Sequence, residues 1–263
     1  MEKLTTIQTS IRSDTIIITL NRPQIGNAIN MTMLHELKAC VEESEANSEL
    51  RFIILKASGR SFCSGADLNW MAGATDLSFR DNLSECKELA ALFRKLFESE
   101  KILIAQVQGP CIGGGMGLLA VSDFVYATAN SFFSFSEVKL GLVPATIAPF
   151  ITRRISHQKA KTLMLSGVTL SAAEAVAEGI ADRLTDESKL SEEVGELMDL
   201  LRKGGVNAQT RIKQLFRDLR NLDNADRIDH LTANLLAEVR ISTEGREGIS
   251  AYLEKRKPGW NLN

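Results

Sequence analysis

QVQGPCIGGGMGLLA, residues 106–120, is the stretch whose reading decides the fold. The apolar β-type run Ile102–Val107 leads into it, Gly109-Pro110 breaks that run, and Gly113-Gly114-Gly115 follow. Residues 116–121 then read as the start of a buried helix. Glycines at a strand-to-helix junction let a ligand approach bare backbone and leave the unpaired N–H groups of a helix N-terminus facing it. That end of a helix suits an anion, whether a phosphate or a developing oxyanion. The same glycines also serve tight helix–strand packing, so alone they are ambiguous. No Lys-Ser or Lys-Thr follows as in a P-loop, and the spacing does not match a dinucleotide-binding GxGxxG.

Upstream, residues 4–11 and Thr15–Leu20 are β-rich runs around Ser13-Asp14, a hairpin signal. Asn30 is a good N-cap for a helix over Met31–Ala46, with Met33/Leu34, Leu37 and Val41 on its core face. Phe52–Ala57 is a short buried strand. The loop 58–68, SGRSFCSGADL, leaves it and carries Gly65 just before the chain turns. Residues 82–98 form an amphipathic helix with Leu89, Leu92, Phe93, Leu96 and Phe97 in its stripe. Downstream come strands over Phe124–Thr128 and 131–135, then short helices over 147–155, 158–165 and Ala172–Ala177. Ser171 with Glu174 reads as a capping box. From Leu190 the pattern is helical throughout: 191–202, 208–219, 225–240 and 244–255. The alternation indicates an α/β fold of repeating β-β-α units. Gly204-Gly205 suggests a division into a core, 1–200, and a C-terminal helical module, 201–263.

The chain has 263 residues, 24% of them charged, and a formal net charge of −2 with no basic face. That argues against nucleic acid as a partner. A basic first helix is also lacking, since residues 31–50 hold one lysine, Lys38. No run approaches a membrane span. Cys40, Cys63, Cys86 and Cys111 show no CxxC spacing, which suits reduced thiols in the cytoplasm. His35, His157 and His230 are scattered, so no metal site is expected.

Two glycine loops, each leaving a buried strand, allow the N–H groups of Ala66 and Gly114 to converge on one oxygen, the logic of an oxyanion hole. SFCSGADL (61–68), QGPCIGGGMGLLAVSDFVYA (108–127) and FSFSEVKLGLVPATIAPFITRRI (133–155) resemble the signature blocks of the enoyl-CoA hydratase/isomerase (crotonase) superfamily. The likeness runs from Asn21-Arg22-Pro23 to YLEKRKPGW (252–260). It implies a crotonase-type spiral of β-β-α units followed by a helical trimerisation module, assembled as a homotrimer or a dimer of trimers. It implies an acyl-CoA thioester substrate, with coenzyme A entering as part of that substrate and no other cofactor. By the same resemblance Ala66 and Gly114 match the oxyanion donors. Gln24, Asn27, Ala28, Ala66, Asp67, Leu68 and Asn69 match positions lining the CoA moiety, and Tyr252 and Lys255 match its C-terminal contacts.

One departure is informative. Family hydratases carry a glutamate in a GGGxE pattern where this chain has Gly117, while the second family glutamate is kept as Glu137. One carboxylate fits isomerisation of a 3-enoyl thioester, or reversible hydration of a substrate whose own group, or an oriented water, supplies the missing polar partner. ADLNWM (66–71) and GGGxGL resemble bacterial 3-methylglutaconyl-CoA hydratases, and also dehydratases acting on carrier-protein-linked hydroxymethylglutaryl thioesters. EKRKPGW favours the CoA-linked version. Lys139, Arg153 and Arg154 are candidates, by proximity alone, for holding a substrate carboxylate.

Overall fold

The computed structural model describes residues 4–220 and 222–261, which group into two compact units, Met1–Val194 and Gly195–Asn263. In the first unit, β1 (Ile7–Arg12) and β2 (Thr15–Leu20) form the expected hairpin, with Ser13 at φ +53 in its turn. Helix α1 (Met31–Ala46) begins where Asn30 accepts from the Met33 N–H, and it buries Met33, Leu34, Leu37, Cys40 and Val41. The chain continues through β3 (Phe52–Ala57), α2 (Leu68–Ala74), α3 (Phe79–Glu98), β4 (Ile102–Val107), β5 (Pro110–Ile112) and α4 (Gly114–Ala120). There follow β6 (Phe124–Thr128), β7 (Phe132–Ser134), α5 (Ala148–Arg154), α6 (His157–Ser166), β8 (Thr169–Ser171), α7 (Ala172–Ala177) and β9 (Arg183–Thr185).

These strands make two sheets. The larger runs β1-β2-β3-β4-β6-β9, parallel everywhere except β1/β2, and the smaller runs β5-β7-β8. The chain gives β4 to the large sheet and β5 to the small one before α4, then β6 and β7 in the same way. Each turn of the spiral thus feeds both layers. Single bridges, Ile29 to Ala66 and Cys63 to Cys111, continue the pattern through the earlier turns, where no full strand forms. All six residues of β4 are buried, as are the first four of β3. From α3, Leu92, Phe93 and Leu96 pack into the same core. Each such large apolar side chain contributes about 1.5–3 kcal/mol when fully buried.

Several boundaries differ from the sequence reading, for local reasons. Helix α3 starts at Phe79, three residues before the expected 82, because Ser78 accepts from the Asp81 N–H and caps it earlier. Helix α2 has no buried residue, so no apolar stripe announced it. β5, β8 and β9 are three residues each, too short to display a period of two. The second unit holds α9 (Val206–Leu219), α10 (Ala225–Ile241) and α11 (Thr243–Leu253), while α8 (Leu190–Arg202) runs into it across the division. Gly205 has no side chain to cap α9, and Glu244 takes that role by accepting from Asn207 N at 3.0 Å and Ala208 N at 2.8 Å. Among the described residues no helix is long and apolar enough to cross a membrane.

The loops after β2 and β3 are pinned together by one side chain. Asn27 is fully buried at φ +56, a left-handed conformation that asparagine tolerates better than most residues. Its Oδ1 accepts from Arg22 N at 2.7 Å, and its Nδ2 donates to Ser58 O and Ser61 O, both at 2.8 Å. Asn27→Ala leaves one buried donor and two buried acceptors unpaired. It is expected to cost at least about 2 kcal/mol in urea unfolding, with Asn27→Gly costing a similar amount because the backbone strain it relieves is small. A loss within experimental error for both would show the hub to be dispensable.

Candidate active site

The site starts from two turns that only glycine can make. Gly65 sits at φ +102 and Gly113 at φ +52. A Cβ on Gly65 would lie 3.3 Å from the Ile112 carbonyl oxygen and 3.9 Å from Gly113 Cα. One on Gly114 would lie 3.9 Å from the carbonyl carbon of Gly65. The turn after β3 and the turn before α4 therefore touch backbone to backbone. The parallel bridge between Ile29 and Ala66 is made by Ile29 N donating to Gly65 O and Asp67 N donating to Ile29 O, both at 2.8 Å. That pattern turns the Ala66 N–H itself away from Ile29. Gly113 N is spent on Ser134 O at 3.0 Å, whereas Gly114, the first residue of α4, has no acceptor for its N–H within the helix.

Glu137 completes the group. It lies in a 3-10 turn, Ser136–Leu140, that follows β7. Its carboxyl sits against Gly113: a Cβ there would be 3.2 Å from Oε1 and 3.6 Å from Cδ. The other oxygen, Oε2, is buried with no hydrogen-bond partner. Burial pushes the Glu137 pKa up, and the opposing hydrogen bond from its own backbone N–H does not cancel the effect. Three apolar residues, Phe135, Val138 and Leu140, flank Glu137 in the sequence. Phe135 is buried, but Val138 and Leu140 are exposed, because the 3-10 turn rotates them to the surface. Burial of the carboxyl is instead completed by the close-packed glycine turn.

Gly117 leaves no open space. A Cβ at that position would lie 2.5 Å from Ile147 Cγ2 and 2.6 Å from both Cε1 and Cζ of Phe93. Neither Phe93 nor Ile147 could be linked to the site from sequence, since nothing in their spacing marks them as neighbours of residue 117.

The remaining candidates divide. Asp67 is buried and serves as N-cap of α2, accepting from Asn69 N at 2.8 Å and pairing with Arg22 at 2.7 Å. Burial alone would raise its pKa, but the Arg22 guanidinium and the Asn69 and Trp70 N–H groups hold it below the ordinary carboxylate value. Asn27 spends its amide on loop backbone, as described. Ala28 is buried beside it, with its carbonyl accepting from Arg22 Nη1 at 2.7 Å, while Gln24, Leu68 and Asn69 are exposed. Tyr252 and Lys255 are exposed and belong to the second unit. Arg154 is engaged by Ile180 O, Ser122 O and Asp182, and Arg153 lies over the Phe97 ring at 4.9 Å. Lys139 is exposed. Arg22, which joins Asp67 to the Ala28 carbonyl, is a supporting residue that the sequence reading passed over. Among the described residues no three His, Cys, Asp or Glu side chains gather as a metal site would require.

Residues 10–263 match the family model described as enoyl-CoA hydratase/isomerase. An enoyl-CoA hydratase of Alternaria alternata is 31% identical over 243 residues, covering 92% of this chain and 79% of that protein. Among solved structures, an enoyl-CoA hydratase from Shewanella pealeana superposes with a TM-score of 0.94 at 32% identity, covering 98% of this chain and 97% of its own. AtuE of Pseudomonas aeruginosa gives 0.93 at 31% identity, covering 98% and 100%.

The half-buried Glu137 has a consequence for stability. Its pKa is higher folded than unfolded, so between the two values the folded chain keeps a proton that the unfolded chain has released. Stability is then full below the unfolded pKa and falls as pH rises towards the folded one. Glu137→Gln keeps the shape and removes that loss. The variant is expected to show a higher urea midpoint than wild type at pH 7, with the two converging near pH 4, about the free carboxyl value. A variant less stable than wild type at pH 7 would contradict the assignment.

Proposed function

We propose that this chain, which belongs to the enoyl-CoA hydratase/isomerase family, hydrates and dehydrates a branched acyl-CoA thioester with Glu137 as its single general acid/base. Activity of the enoyl-CoA hydratase/isomerase type on acyl-CoA thioesters comes with the family. The finer reading is a substrate of the 3-methylglutaconyl-CoA and 3-hydroxy-3-methylglutaryl-CoA type. That finer reading rests on the resemblance of ADLNWM and GGGxGL, while the observation that carries the role of Glu137 is its carboxyl lying against Gly113, where the two glycine turns meet, with Oε2 buried and unpartnered.

A thioester oxygen accepting from the Ala66 and Gly114 N–H groups gains stabilisation as it takes on enolate charge. The α-carbon then lies on the Glu137 side of the turn. In the dehydration direction the Glu137 carboxylate takes the α-proton, the C–OH bond breaks, and the proton leaves with the hydroxyl as water. Hydration reverses each step. One carboxyl suffices because the proton removed from the α-carbon is the one that the departing hydroxyl needs. The raised pKa keeps Glu137 closer to working pH than an exposed carboxylate would be.

Isomerisation of a 3-enoyl-CoA is the second reading, favoured by the hydrocarbon packed around Gly117, which gives no polar partner to a water on that side. A homotrimer or dimer of trimers and a cytoplasmic location belong to the same proposal. The exposed Ile212, Phe216, Leu236 and Ile241 of α9 and α10 support the former, and four free cysteines support the latter. Light scattering at micromolar concentration tests the assembly, and a monomer would remove it.

Crotonyl-CoA, a 3-enoyl-CoA and 3-methylglutaconyl-CoA assayed side by side test the reaction. Wild type is expected to hydrate 3-methylglutaconyl-CoA best, and Glu137→Gln to lower its kcat by about 10²–10⁴-fold with a much smaller change in KM. Equal rates for the two proteins would refute the role of Glu137. Ready 3-enoyl isomerisation without hydration would transfer the assignment to the second reading.

A further inference from the structure

We infer that Phe93 and Ile147 are specificity-determining residues, forming an apolar wall in the place from which a second carboxylate would act and so holding the site to one-acid chemistry. This rests on the reading of Glu137 as the acid/base group. Gly117 is then a result of the wall rather than its cause.

The geometry comes from helix α4. Cα–Cβ bonds lean towards the N-terminus of a helix, so a side chain at 117 would lean over the Gly113–Gly114 end, about one turn away. That is the end on which the Glu137 carboxyl rests. The space is filled instead from two other elements. Phe93 comes from the inner face of α3 and Ile147 from the residue before α5, and both are buried. Contacts of 2.5–2.6 Å to a Cβ fall far inside the ordinary carbon–carbon separation of about 3.5–4.0 Å, so even alanine at 117 displaces something.

The wall is also stiff. The Phe93 ring lies 6.3 Å from that of Phe150, which lies 5.4 Å from that of Phe97, so it is packed against an aromatic cluster, and Phe93 is fully buried. Ile147 is branched at Cβ, which restricts its χ1, and its carbonyl accepts from Phe150 N and Ile151 N, both at 3.0 Å. Nothing in either side chain can hydrogen-bond. A water on this face would find no partner in the wall, and buried waters need two or more.

The test compares Gly117→Glu alone, the opened variant Phe93→Ala/Ile147→Ala, and the triple variant carrying all three changes. Crotonyl-CoA hydration and α-hydrogen exchange of butyryl-CoA in D₂O are measured on each. Gly117→Glu alone is expected to lower the thermal midpoint without gaining hydration. The triple variant is expected to exceed the opened one by about 100-fold in kcat/KM for crotonyl-CoA, the effect of one added acid–base group.

Hydration by Gly117→Glu alone at the level of the triple variant would overturn the inference, as would a folded triple variant no better than the opened one. Should the opened variant not fold, Gly117→Ala is measured in wild type and in Phe93→Leu/Ile147→Ala. A large drop in Tm in the first and a small one in the second supports the wall, and equal drops overturn it. Exchange by Glu137→Gln separates the two claims. Exchange retained by that variant defeats the Glu137 reading itself, whereas exchange lost with no gain in the triple variant defeats only the wall.

Discussion

Backbone-to-backbone contact between the Gly65 turn and the Gly113–Gly114 turn is the constraint on which the site depends. Two peptide groups can approach this closely only where neither carries a Cβ and both can take positive φ. The spiral supplies the approach. Cys63 N donates to Pro110 O, Ile112 N to Cys63 O and Gly113 N to Ser134 O, so successive turns of chain lie in register and deliver both glycine turns to one place. Remove the small residues and the sheet could still form, but the two turns would no longer meet beside the Glu137 carboxyl.

Around that contact, polar residues hold shape. Asn27 ties the Arg22 turn to the Ser58–Ser61 loop, and Arg22 in turn binds Asp67 and the Ala28 carbonyl. The network centres on the buried Asn27 and Asp67 and its named groups are paired, the condition under which buried polarity rigidifies rather than weakens a fold. Family likeness placed Asn27 and Asp67 among residues lining a ligand. Their side chains are committed to loop backbone and to a helix cap, so their influence on the site passes through the position of the Ala66 turn.

What could be read from the chain followed from length and period. The hairpin, α1, the strands Phe52–Ala57 and Ile102–Val107, and the helical C-terminal stretch all carry runs long enough to show their repeat. The three-residue strands β5, β8 and β9 and the unburied α2 carry no such run, and they escaped notice. At the site, Ala66 and Gly114 stood out because glycine turns that leave buried strands are conspicuous locally, while Glu137 came from the family resemblance. Phe93, Ile147 and Arg22 did not, since each matters through a neighbour far away in sequence: 24 and 30 positions separate Phe93 and Ile147 from Gly117.

Cys63 and Cys111 face each other across a parallel bridge two residues ahead of Gly65 and Gly113. Both are buried. Desolvation pushes the Cys63 thiol up to about 12, and desolvation together with Cys63 pushes Cys111 upward as well. Thiolate is the reactive form, so neither reacts while the turns stay closed, whereas Cys86 is exposed. The chain therefore carries its own clock for opening. The rate at which a small alkylating reagent reaches these two sulfurs, followed apart from the exposed Cys86 and from Cys40, which is buried on α1, measures how often the two glycine turns part.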